Sequence, residues 1–171
     1  AGIAKAVQEA LVDRQCRHIV LDPVMVAKGG APLLDPDAVE AVRCDLLPLA
    51  SVVTPNLPEA GVLLGLPAAK TRAEMSSQAR EILSYGPDAV LIKGGHFEGE
   101  HSPDLLVTEV DDFWFEANRI DSMNTHGTGC SLSSALAAGL AREMSMISAT
   151  QAAKFFITEA IQHADRLDVG S

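Results

Sequence analysis

The sequence predicts a three-layer α/β/α domain built on a mainly parallel sheet. Three short β-branched runs, residues 18–22, 51–55 and 89–93, have apolar centres and read as buried parallel strands. Stretches with helical apolar periodicity separate them, and alternating strand and helix is the pattern of a parallel sheet with helices on both faces. The runs end on or just before Asp22, Asn56 and Lys93. Open α/β sheets place their ligands beyond these C-terminal strand ends.

The elements follow in order. Residues 1–13 form a helix with Ile3, Val7, Ala10 and Leu11 on one face. The first strand stops at Pro23, so Asp22 is either a turn-initiating Asp-Pro pair or a carboxylate facing a ligand. Val24 and Met25 begin the following loop and could line an apolar slot, though core packing is the more frequent use of such residues. Asp35 caps a helix with Pro36 in its first turn. That helix runs to about Leu47, buries Val39, Val42, Leu46 and Leu47, and ends at Pro48. After the second strand, Asn56 and Glu59 make a capping box, or else they order a metal and phosphate water network. Thr71 and Glu74 make a second box, for a helix carrying Met75, Ala79, Ile82 and Leu83 and ending at Gly86-Pro87. Lys93 ends the third strand ahead of Gly94-Gly95-His96, where it could reach a phosphate as a point charge. Residues 104–109 and 111–116 alternate as a hairpin, with Trp114 at the outer edge. A helix then follows the glycine stretch to about Arg142. The last helix opens on a third capping box, Ser148 and Gln151. Its apolar face holds Ala149, Ala152, Ala153, Phe156, Ile157, Ala160, Ile161, Ala164 and Leu167, with His163 on the polar side.

Composition narrows the function. A length of 171 residues suits one domain with a real core. The net charge of −10, from 13 basic and 23 acidic residues, argues against nucleic-acid binding. No apolar run approaches the roughly 20 residues of a membrane span, and no secretory leader pattern is present. Cys16, Cys44 and Cys130 are odd in number and widely spaced, which argues against a disulfide scaffold or a zinc site and fits a reducing cytoplasm. The chain opens at Ala1 in mid-pattern and ends abruptly at Asp168-Val169-Gly170-Ser171, so it reads as a fragment or as a chain with unrecorded ends.

The stretch Gly127-Thr128-Gly129-Cys130 is the centre of the pattern. A glycine turn running into a helix N-terminus aims several backbone N–H groups at one spot, and the helix dipole makes that spot suit a phosphate. Cys130 falls in the first turn, where a thiolate is stabilised. Alone, such a motif reads equally well as a glycine corner with a small buried cysteine. Convergence with Asp22, Asn56 and Lys93 on one edge of the sheet favours a site.

Leu21-Asp22-Pro23-Val24-Met25, Thr54-Pro55-Asn56-Leu57-Pro58-Glu59, Ile92-Lys93-Gly94-Gly95-His96 and Asn124-Thr125-His126-Gly127-Thr128-Gly129-Cys130 occur in this order along the whole chain. Together they resemble the hydroxymethylpyrimidine/phosphomethylpyrimidine kinases of thiamine biosynthesis, within the ribokinase-like superfamily. The resemblance implies that residues 1–171 are a single ribokinase-like kinase domain, the C-terminal two-thirds of the family fold, without its first strand and part of the acceptor pocket. It implies phosphoryl transfer from ATP with Mg2+ to 4-amino-5-hydroxymethyl-2-methylpyrimidine and then to its monophosphate. Gly127, Thr128, Gly129 and Cys130 match the anion hole, with Cys130 as base where most ribokinase-like enzymes carry aspartate. Lys93 matches a nucleotide-phosphate contact, Asn56 and Glu59 a magnesium-ordering pair acting through water, and Asp22 falls with these cofactor contacts. Val24, with Met25, falls beside the pyrimidine. A homodimer in the cytoplasm is expected, with small-molecule partners only. Two alternatives stand beside this reading: a pyridoxal kinase of the same cysteine-bearing group, and a non-catalytic nucleotide-binding fragment. The first strand present here would be left as an unpaired apolar edge.

Overall fold

A five-stranded mixed sheet in the order β1-β2-β3-β4-β5 organises the chain. The computed structural model describes residues 2–26, 31, 33–97, 99–122 and 125–164; Asn124, Leu167 and the C-terminal residues of the sequence reading lie outside them. Strands β1 (Val20–Leu21), β2 (Val52–Val53) and β3 (Ala89–Ile92) are parallel, with Val20 opposite Val52 and Val53 opposite Val90. The expected hairpin is present as β4 (Asp104–Thr108) and β5 (Asp112–Phe115), antiparallel to β3 and to each other.

Strand alternation divides the core into two layers. Val53, Val90, Ile92, Leu105 and Val107 face α3 (Leu57–Leu64) and α4 (Arg72–Leu83), with Met25 and Leu47. Val52, Ala89, Leu91 and Leu106 face α5 (Thr128–Ala141) and α6 (Met146–Ala164) on the other side. Gly139 lets these two helices approach closely, since a Cβ there would lie 2.9 Å from the Ala149 Cβ. Both capping boxes, Asn56 with Glu59 and Thr71 with Glu74, are fully formed.

Four expectations need correction. The helix capped by Asp35 is regular only over α2 (Pro36–Ala41); it widens into a π turn at Val42–Leu46 and tightens to a 3-10 turn at Leu47–Leu49. Pro48 lies inside that last turn, has no amide to donate and disrupts the preceding α pattern, so Leu47 N bonds to Val42 O. Val39 and Val42 are consequently only half-buried, whereas Leu46 and Leu47 are buried. Helix α6 starts a turn before Ser148: Ser145 Oγ accepts from Ser148 N at 3.2 Å, so Ser145 is the cap. Its apolar stripe is wider than its contact, with Ala149, Ala153 and Ile157 buried but Phe156 54% exposed. Strand β1 is half-buried because it pairs with β2 alone among the described strands. Helix α1 (Gly2–Asp13) buries no residue, and Ile3 is 84% exposed.

Candidate active site

The C-terminal strand ends converge as the sequence suggests. Lys93 N bonds to Pro55 O at 2.8 Å and pairs with Asn56 in a parallel bridge, extending the β2–β3 register to the polar residues. Lys93 Nζ then reaches across to Asp22 Oδ1 at 2.8 Å. Thr54 Oγ1 lies 3.2 Å from the same carboxylate oxygen and 2.8 Å from Ser133 Oγ on α5. Ser133 Oγ in turn donates to Gly129 O at 3.0 Å. One polar chain therefore ties the sheet edge to the first turns of α5. Gly129 leaves room for Lys93 beside the turn: a Cβ there would stand 3.1 Å from Lys93 Nζ, a tight contact that the lysine would have to yield to.

Gly127 caps α5 with φ 76°, a left-handed conformation that suits glycine. Thr128 Oγ1 donates to Thr125 O at 3.0 Å and fixes the turn. The opening amides of α5 have no partner within their helix, and together with the dipole they offer a site for an anion. Cys130 departs from expectation. Its thiol is pushed above the usual cysteine range, first by burial, then by the Asp22 carboxylate as hydrogen-bond acceptor and negative neighbour; Lys93 and the backbone amide act the other way. The helix terminus alone does not yield a thiolate while Asp22 is charged and adjacent.

Asn56 and Glu59 fill the cap and border the cleft at once. Asn56 Oδ1 accepts from Glu59 N at 2.8 Å, and Glu59 Oε2 accepts from Asn56 N at 2.8 Å. The Glu59 carboxyl is raised by its own burial, with the Asn56 amide and Lys93 opposing and Asp22 adding to the shift. Among the described residues no group of three His, Cys, Asp or Glu side chains is placed to hold a metal. Oxygen donors from Asp22 and Glu59 on one cleft suit a hard cation that keeps most of its water. Val24, 46% exposed, lines the cleft, whereas Met25, 1% exposed, is a core residue. Met25 packs into the core with Leu47, Val53 and Leu57 and is corrected from candidate contact to core.

The cleft has a volume of about 1140 Å³ and is bordered by Asp22, Val24, Asn56, Glu59, Lys93 and residues 127–130 together. It also holds residues that sequence reasoning missed. Asp104, buried at the start of β4, accepts from Gly94 N at 2.8 Å through Oδ1 and from Lys154 Nζ at 2.6 Å through Oδ2. Lys154 Nζ also donates to Ser102 O at 2.9 Å. Arg119 donates to Gly95 O and Gly99 O at 3.0 and 2.9 Å, and to Phe97 O. His96, on the same turn, is held below the usual histidine range by burial, Lys93 and Arg119. The partners of Asp104 and Arg119 lie 10 to 50 residues away, so only a lone charge in an apolar setting, such as Lys154 on α6, signalled them.

A model of the phosphomethylpyrimidine kinase family matches residues 1–171. The chain is 49% identical over 168 residues to the hydroxymethylpyrimidine/phosphomethylpyrimidine kinase of Salmonella typhimurium, covering 98% of this chain and 63% of that one. The Escherichia coli protein of the same name matches to the same extent. Among solved structures, a phosphomethylpyrimidine kinase from Clostridium difficile superposes with a TM-score of 0.80 at 36% identity, over 94% of this chain and 64% of that one. An ADP complex of Bacillus subtilis pyridoxal kinase superposes with a TM-score of 0.86 at 38% identity, over 92% and 59%. This chain thus spans slightly less than two-thirds of the length of these curated relatives. By sequence along its whole length and by fold, the chain belongs to the phosphomethylpyrimidine kinase family.

Proposed function

We propose that this chain is the nucleotide-binding and catalytic part of a kinase that transfers the terminal phosphoryl group of ATP to the hydroxymethyl oxygen of 4-amino-5-hydroxymethyl-2-methylpyrimidine and then to its monophosphate. The observation that carries the reading is the meeting of Lys93, Asp22 and the Gly127–Cys130 turn in one cleft. In this reading Lys93 and the α5 amides stabilise charge on the phosphoryl oxygens as it builds. In the transfer, an oxygen–phosphorus bond forms to the hydroxymethyl group and the bond to the bridging oxygen of the nucleotide breaks. The hydroxyl proton passes to Cys130 Sγ. Cys130 must be a thiolate for this, and neutralising the charge of Asp22 moves it that way, as Lys93 already does. Mg2+ at Asp22 and at the waters ordered by Asn56 and Glu59 would supply charge neutralisation on the phosphates. Gly129 keeps Lys93 close to the turn, and Val24 offers an apolar edge to the ring.

The reading carries a homodimer and a reducing cytoplasm with it; the three free, exposed cysteines suit such a compartment. A second reading, pyridoxal phosphorylation, is favoured by the fit to pyridoxal kinases of Bacillus subtilis and Staphylococcus aureus, the latter with AMP-PCP. Steady-state rates with the hydroxymethylpyrimidine, its monophosphate and pyridoxal separate the readings. The proposal expects the larger kcat/KM for the pyrimidines; a larger value for pyridoxal supports the second reading. Nucleotide binding without transfer to any acceptor identifies a binding module.

A further inference from the structure

We propose that Arg119 is a positioning residue for nucleotide binding, acting by holding the turn after β3 in the shape that presents Lys93, Gly95 and His96 to the cleft. The inference rests on the kinase reading for the identity of the ligand. The turn has little structure of its own: Phe97 N to Gly94 O at 3.0 Å is its internal backbone bond among the described residues. Its order is imposed from two sides. On the inside, Asp104 takes the Gly94 amide. From the other side Arg119, itself at the border of the cleft, spans the turn, with Nε on Gly99 O, one terminal nitrogen on Gly95 O and the other on Phe97 O. Its own amide adds a bond to Glu100 O at 2.7 Å.

Only a guanidinium fits this task. Its N–H groups lie in one plane and diverge, so a single side chain reaches carbonyls spread along a turn. An ammonium is one point and cannot span them. The carbonyls also need a cationic donor here, because a turn with its carbonyls gathered on one side is electrostatically unfavourable without one. The functional consequence follows from the Gly95 bond. Gly95 and His96 line the cleft beside Lys93, so the orientation of their peptides shapes the nucleotide side. Releasing the turn lowers the fraction of molecules in the binding-competent shape, and apparent affinity falls in proportion.

The experiment compares wild type, Arg119→Lys and Arg119→Ala in the protein at its natural length. An ATP analogue is titrated by fluorescence, and KM is measured for ATP and for the pyrimidine acceptor. Arg72→Lys is the control, since Arg72 also binds the hairpin region, through Glu116 and Trp114, without touching the cleft. A loss of about tenfold in nucleotide affinity is expected in both Arg119 variants if the competent shape falls to a tenth of the population. Lysine should fail to rescue, and KM for the acceptor should stay unchanged. A merely structural arginine would lower the melting temperature and the active fraction with no change in affinity, and that result would overturn the proposal. So would wild-type affinity in the folded Arg119→Lys variant. If wild type itself bound no nucleotide, the kinase reading would fail first, and the two failures are thereby distinguishable.

Discussion

Replacing Lys154 by methionine should destabilise the protein strongly and in a pH-dependent way. Asp104 is 4% exposed, and its charge is balanced by Lys154 Nζ at 2.6 Å, with Gly94 N as a second donor at 2.8 Å. Methionine keeps the length of the stem but removes the ammonium. Breaking a buried pair from one side costs about 3–5 kcal/mol, since the remaining charge stays buried without a counterion. In a chain of this length each kcal/mol is worth roughly 2–4 °C, so the melting temperature should fall by about 6–20 °C. Burial already raises the Asp104 carboxyl above its ordinary value, with Lys154 holding it down. Without Lys154 the folded-state value rises further. A carboxyl raised on folding favours the folded state at low pH, and that contribution is lost as pH rises through the folded-state value. The deficit should therefore be larger at pH 8 than at pH 5, since lower pH favours uptake of a proton by Asp104. Urea denaturation at both pH values measures it. Adding Asp104→Asn to Lys154→Met should recover part of the loss, because the amide oxygen still accepts from Gly94 N. A deficit below about 1 kcal/mol, within the range of an exposed pair, would refute the argument. A deficit equal at both pH values would refute it as well.

Two further outcomes follow from the same geometry. Gly94→Ala would set a Cβ 1.7 Å from Pro103 O, a backbone atom, so the chain must move and about 1–3 kcal/mol or more is lost. Gly95→Ala meets only Ser102 Oγ at 3.8 Å, and equal stability of the two variants by denaturation would contradict this packing. Asp22→Asn removes the carboxylate that helps hold the Cys130 thiol protonated, so the iodoacetamide reaction of Cys130 near pH 8 should speed up several-fold, read by peptide mass mapping. An unchanged rate would leave burial as the sole cause of the raised value.

The strands, the two capping boxes and the edge where the site forms were legible in the sequence because each is written locally. A β-branched run, a proline and an N-cap three residues before glutamate need no distant partner. Asp22, Lys93 and the Gly127–Cys130 turn were legible for the same reason, each lying at the end of a recognisable element. What was not legible depends on distance or on competition. Asp104 reads as the first residue of a strand until Lys154 arrives from α6. Arg119 reads as a loop charge until the carbonyls of the turn gather around it. For the Cys130 thiol the helix terminus is a local signal, whereas burial and Asp22, 108 residues earlier by number, push the other way and depend on the fold. Val24 and Met25 could not be told apart because an apolar pair at a strand end gives no phase; the fold exposes Val24 and buries Met25. The Ser148 cap was displaced because Ser145, one turn earlier, offers the same chemistry to a free amide.

Cys130, beside the α5 terminus and Lys93, is proposed to take the acceptor proton in phosphoryl transfer. This role is tested most directly by incubating wild type and Cys130→Ala with MgATP and hydroxymethylpyrimidine and weighing the products by mass spectrometry, with nucleotide affinity measured in parallel. Phosphorylated pyrimidine is expected from wild type, and a rate lower by about 10²–10⁴ in Cys130→Ala with nucleotide affinity nearly unchanged. Equal turnover by the two proteins would contradict this role.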